Sequence, residues 1–200
     1  MKKSFFLVLT LAIPVAIFLF LKIFGDNTFD VPVLFEDGIP GCEGSQSPHK
    51  VPDFKYIGKT EKNLSKRGPN DFMIFGLLDT GTKAEQKLIE LVRISDAFYE
   101  VGSPFFVLFL KGNHGRKAEL EQQLVEIGMK TNQFVIVKAP EEELTDFLRC
   151  GLALSGETPE ELDKLVLVDP SKNIRGMYNW FDQEQTDQLI LELKILKKKV

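Results

Sequence analysis

The sequence predicts an α/β domain, a mixed β-sheet with helices on both faces, preceded by one N-terminal transmembrane helix. Three observations predict it. Apolar runs of strand length recur at Phe72 to Leu78, at Pro104 to Leu110 and in "QFVIVKAP". Stretches of helical length with an apolar stripe separate these runs. Two further strand-like stretches, joined by a Pro/Ser/Lys/Asn turn, precede a last amphipathic segment.

The chain opens on "MKKSFFLVLTLAIPVAIFLFLKIFG", two lysines and an apolar run from Phe5 to Leu21 with no charged residue in it. A helix of ~20 residues crosses the roughly 30 Å hydrocarbon core of a bilayer, and Lys22 can snorkel at its end. Pro14 is tolerated in such a helix. Residues 1–25 therefore read as a membrane anchor. The competing reading, a cleaved signal peptide, has a shorter apolar core and a small-residue cleavage site, and no Ala-x-Ala follows Phe24. Lys2 and Lys3 hold the N-terminus in the cytoplasm, so the remainder is exported. The expected location is the bacterial inner membrane, single-pass, with a periplasmic C-terminal domain.

A formal net charge of -4 gives no reason to expect nucleic acid, which calls for a basic patch. The basic end "KILKKKV" reads as a last helical turn that complements the helix dipole. The two cysteines, Cys42 and Cys150, fall in a domain that faces an oxidising compartment. That count is compatible with one disulfide, and sequence does not decide whether they meet.

Residues 26–65 read as a linker and irregular lead-in, with Gly, Pro and Ser gathered in "DGIPGCEGSQSPHKVPDF" and a short edge strand at Phe54 to Ile57. Residues 66–200 form the domain. After the strand at Phe72 to Leu78 comes a helix from Lys83 to Tyr99, with Leu88, Leu91, Val92 and Phe98 on one face. "PFFVLFL" is a strand covered on both sides. Arg116 to Gly128 is a helix with Leu120, Leu124 and Ile127 inward and Gly128 as its C-terminal cap. The third strand ends at Pro140, which opens a helix from Glu141 to Leu154 with acidic residues at its N-terminus. Leu165 to Val168 and Ile174 to Trp180 form a hairpin. Gln183 to Lys198 is a last helix that buries Leu189, Ile190, Leu193 and Leu196.

The order β-α-β-α-β-α-β-β-α is thioredoxin-like, with one extra strand and helix inserted. With its N-terminal anchor, "HKVPDF" (His49 to Phe54) and "LVLVDPSKNIRGMY", the chain resembles the Sco/SenC proteins from about Val51 to the C-terminus. Those are membrane-anchored thioredoxin-fold proteins associated with copper delivery and thiol redox work in cytochrome c oxidase assembly. The resemblance implies two cysteines at the first strand-helix junction and a histidine before the "VDP" strand. Those positions fall at Thr80, Ala84 and Glu161, and neither "LLDTGTKAE" nor "TPEELDK" contains Cys or His. Copper's soft and borderline ligands are therefore missing there. The resemblance thus implies a protein with no cofactor and no enzymatic thiol chemistry, an assembly or interaction factor. Its partners would be a membrane protein, the respiratory oxidase or its assembly factors, and the bilayer itself through the N-terminal helix. Two alternatives stand beside it: a thiol-redox or copper protein using Cys42 and Cys150, and an unrelated membrane-tethered binding module.

Other motifs have plainer readings. "LLDTG" matches an aspartic-protease signature, but a helix follows it and no second copy exists. Asp79, Thr80 or Thr82 is better read as a cap for the following helix, with Gly81 allowing the turn. "GKT" at Gly58 to Thr60 lacks the earlier glycine of a phosphate loop. His114 sits in a polar turn, and Cys42, His49 and Cys150 would make a three-ligand metal site only if folding joined them. Tyr178, Trp180 and Phe181 read as packing residues; exposed together, they would form a protein-binding patch.

Overall fold

A computed structural model of the chain describes residues 12–20, 22, 30–42, 47–54, 71–78, 84–99, 102–110 and 116–198. The chain divides into two units, residues 1–30 and 31–200. In the first, residues 12–20 are helical and carry exposed apolar side chains, Phe18 and Phe20 among them. Among the described residues no helix is long and apolar enough to cross a membrane. Much of the predicted anchor, residues 1–11, 21 and 23–25, lies outside them.

The second unit is built on five strands: β1 (Met73–Leu78), β2 (Phe105–Leu110), β3 (Phe134–Val137), β4 (Lys164–Val168) and β5 (Ile174–Asn179). They lie in the order β3-β2-β1-β4-β5. β1, β2 and β3 are parallel, whereas β4 runs antiparallel to both β1 and β5. This is the mixed, thioredoxin-like sheet expected, with β3 added outside β2. The helices are α1 (Ala84–Asp96), α2 (Lys117–Glu126), α3 (Glu141–Asp146), α4 (Pro159–Leu162) and α5 (Gln183–Lys198).

Connection direction decides which face each helix covers. The steps β1 to β2 and β2 to β3 go the same way across the sheet, so right-handed crossovers put α1 and α2 on one face. α3, in the connection from β3 to the antiparallel β4, packs on the other face. The cores follow: Leu91, Ile94, Leu124, Leu189 and Leu193 close on one face, Leu144, Phe147 and Leu148 on the opposite one. Every residue of β2 is buried, as a strand covered twice requires. A register shift between Leu167 and Val168 in the β4-β5 pairing turns Ile174 and Tyr178 to different faces.

Local chemistry moved several boundaries. α2 stops at Glu126 because Gly128, at φ +112, turns the chain. Gly128 N then donates to Val125 O and Met129 N to Leu124 O, the pairing of a Schellman cap. Ile127, expected inward, is therefore 41% exposed, and Met129 fills the core instead. The helix expected over Glu141 to Leu154 is α-helical only to Asp146 and becomes a π-turn over Phe147–Gly151. Pro140 is its N-cap, one position earlier than expected. Helix α4 was not expected. Thr158 caps it by accepting from Glu161 N, and Pro159 stands just inside. Ile190 of α5 is half-buried, and Phe54 is irregular, while residues 55–57 lie outside the described residues.

Candidate functional site

The end of the sheet at which β1 delivers the chain to α1 is filled by an ion pair. Lys87, in the first turn of α1, is 1% exposed. Its Nζ lies 2.7 Å from Asp163 Oδ1 and donates to Leu77 O at 3.0 Å. The ammonium stands 5.5 Å from the Trp180 ring and 5.7 Å from that of Phe181. Asp163 joins α4 to β4, and its carbonyl accepts from Trp180 N at 3.0 Å. One cation therefore ties together the ends of β1, α1, β4 and β5. A buried pair of this kind offsets its desolvation only when hydrogen-bonded on several sides.

The positions singled out from the sequence sit around this pair. Ala84 is the first residue of α1 and half-buried, and Lys87 lies one helical turn beyond it. Glu161 is in α4, half-buried, with its carboxylate accepting from Ser155 Oγ, and Asp163 follows two residues later. Thr80, together with Asp79, Gly81 and Thr82, lies outside the described residues, as do His114 and residues 58–60. The edge of the Trp180 ring abuts Gly76 of β1, where an added Cβ would stand 2.3 Å from Trp180 Cζ2. Tyr178, beside it, is buried over Gly176 and donates to Glu192 Oε2 at 2.5 Å. Burial, reinforced by that carboxylate, pushes its phenol far above the usual range. Trp180 and Tyr178 are thus core residues, while Phe181 is 37% exposed.

A second cluster lies on the α3 face. Cys42 and Cys150 are bridged, with Cα atoms 5.5 Å apart. His49, 3% exposed, places Nε2 2.9 Å from Gly151 O. A carbonyl only accepts, so Nε2 is the protonated nitrogen. The two sulfurs are bonded to each other and the imidazole is spent on the backbone, so these three residues do not form a thiolate ligand set. Among the described residues no group of three or more His, Cys, Asp or Glu side chains is placed to hold a metal ion. Phe54 stacks on Phe147 at 4.4 Å and meets Phe109 edge-on at 5.7 Å. Both bridged residues are half-buried, and Cys150 borders a cleft of about 380 Å³ with Asp53, Phe54 and Glu143.

The "VDPSKN" turn and the strand after it fasten residues 31–34 and 51–53 to the sheet. Asp169 accepts from Asn173 N at 2.9 Å and from Arg175 Nη1 at 3.2 Å, and Arg175 reaches the carbonyl of Val31. Val51 N donates to Lys172 O, Leu34 N to Ile174 O, and Lys172 pairs with Asp53 at 2.8 Å. In the sequence this stretch reads as a hairpin turn and as one carrier of the family resemblance. The signal for its second role was Asp169 itself, a carboxylate at the mouth of a turn that needs N–H donors.

Fold and site together define a protein of thioredoxin-like fold with a buried lysine-aspartate pair at the end of the sheet where β1 finishes and α1 starts. Comparison with solved structures agrees on the fold. BsSco, a member of the Sco family of cytochrome c oxidase assembly proteins, superposes with a TM-score of 0.52 at 11% identity, over 64% of this chain and 81% of that one. A SCO1/SenC family lipoprotein from Bacillus anthracis str. Ames does so with a TM-score of 0.52 at 13% identity, over 63% of this chain and 81% of that one. No protein-family model matches the chain, and no curated protein matches it.

Proposed function

We propose that the chain is a membrane-anchored, thioredoxin-fold protein of Sco/SenC type that works without copper or thiol chemistry, as an assembly or interaction factor in respiratory oxidase biogenesis. One observation carries the reading. The only two cysteines of the sequence are spent on each other, on the α3 face, while the β1-α1 end is occupied by Lys87 and Asp163. The fold shared with two Sco-family structures supports the link to oxidase assembly, and the apolar run from Phe5 to Leu21 supports the anchor. The exported domain then presents a surface to a membrane protein, with the N-terminus in the cytoplasm.

Copper(I) titration of the intact, detergent-solubilised chain tests the chemistry. The chain should bind no more copper than its Cys42→Ser, Cys150→Ser variant. Stoichiometric binding lost on changing Cys42, Cys150 or His49 would overturn the copper-free reading. Co-purification tests the partner: oxidase subunits or their assembly proteins are expected with the intact chain. Their consistent absence would favour an unrelated membrane-tethered binding module.

A second reading has its own observation. The bridge is half-exposed beside a cleft, so a dithiol could reach it and the chain could exchange disulfides through Cys42 and Cys150. A reduction potential above roughly −300 mV would favour that role, because structural bridges lie lower.

A further inference from the structure

Strand register fixes what lies at the other end of the sheet. Met73 pairs with Val168 and Val168 with Ile174, so the start of β1, the end of β4 and the start of β5 share one end, opposite Lys87 and Asp163. α1 and α5 both start at the ion-pair end and finish at this base. Between their C-termini lies an open groove of about 640 Å³. Its lining holds three lysines, Lys194, Lys197 and Lys198, against one acidic side chain, Asp96. Lys197 is spent on the carbonyl of Gly102. Lys194 and Lys198 are exposed. Two apolar side chains project from the rim, Tyr99 at 78% and Leu191 at 59% exposure, and Lys130 Nζ stands 5.4 Å from the Tyr99 ring.

The unit also begins at this base. Val31 is held there by Arg175, next to Ile174. In the anchor reading only six residues separate Phe24 from Val31, and that stretch reaches at most about 25 Å. On that reading, and from chain length alone, Val31 and the base stay within that reach of the bilayer.

We propose that this groove seats the domain on a bilayer containing anionic phospholipid, with Tyr99 and Leu191 entering the interface and Lys194 and Lys198 on the lipid phosphates. The proposal rests on the anchor reading for its tether. The chemistry fits a membrane surface: tyrosine is enriched at headgroup level, and lysines close to an anionic leaflet are attracted to it. Side chains this exposed project outward and do not wall a closed cavity. Docking by the base leaves the Lys87-Asp163 end pointing away from the bilayer, open to a partner.

The test uses the full chain reconstituted in phosphatidylglycerol-containing and in pure phosphatidylcholine bilayers. Amine acylation of Lys194 and Lys198 is followed, with Lys164 at the far end of the sheet as reference. Acylation of both groove lysines should slow in the anionic bilayer relative to Lys164. In the Tyr99→Ser, Leu191→Ser chain, altered only at exposed positions, that protection should fall at least about tenfold, the scale of burying one large apolar side chain. Equal acylation in the two bilayers overturns the proposal, and so does protection indifferent to the serine substitutions. Alkaline extraction reports on the anchor separately. A chain washed from the bilayer at high pH but still protected by anionic vesicles keeps the docking surface and loses the anchor.

Discussion

Lys87 and Asp163 form a 2.7 Å ion pair in the interior of the domain, one from the first turn of α1 and the other from the turn into β4. The side chains are 1% and 12% exposed, so neither charge has water to fall back on. The pair clasps the two segments that carry Ala84 and Glu161.

Removing one partner should therefore cost more than removing both. Lys87→Met or Asp163→Leu alone leaves a buried charge without the opposite charge beside it and should cost about 3–5 kcal/mol. The double substitution should recover much of that loss. Urea unfolding of the four proteins gives the coupling directly, and additive single effects would show that the charges are not buried together.

Gly76→Ala should destabilise the domain by about 1–3 kcal/mol, because the new methyl has no room against the edge of the Trp180 ring. Trp180 is the only tryptophan, so a shift in its emission reports the displacement. Unchanged emission and unchanged stability would mean that the ring does not abut Gly76.

Tyr178 supplies a pH dependence. Its folded phenol is pushed above its ordinary value, so this contribution to stability is full below about pH 10, the unfolded value, and declines as pH rises further. Tyr178→Phe removes the group that the unfolded state ionises. Its alkaline unfolding midpoint should move upward, which circular dichroism against pH will detect.

The oxidised chain should contain no free thiol and the reduced chain two. Reduction, or Cys42→Ser with Cys150→Ser, releases a loop of 108 residues. Loops of that length correspond to about 4.7 kcal/mol in the chain-entropy model, an upper value in practice. Melting temperatures measured with and without reductant should differ for the native chain and coincide for the double serine variant.

What the sequence made legible follows from how local each signal is. Apolar runs such as "FFVLFL" and the stripe of Gln183 to Lys198 state their structure within a few residues, and both elements form where expected. Helix α4 had its signal, Thr158-Pro159-Glu160-Glu161, and it was short enough to be overlooked. The burial of Lys87 had none. A lysine in an amphipathic helix reads as solvated, and only the aspartate brought beside it by the topology makes the interior tolerable. The π-turn is equally non-local. It accompanies the ring of Phe147 over Gly151 and the bond from Cys150 to the lead-in, which periodicity within Glu141 to Leu154 does not reveal.

The bond between Cys42 and Cys150 makes a closed covalent ring of more than half the chain. A protease that cuts once anywhere between them opens the ring without releasing a piece. The nicked molecule gains one water in mass and keeps both parts in a single particle, so it migrates as one species until a reductant separates them. A first cut within the ring is then not a loss of half the protein.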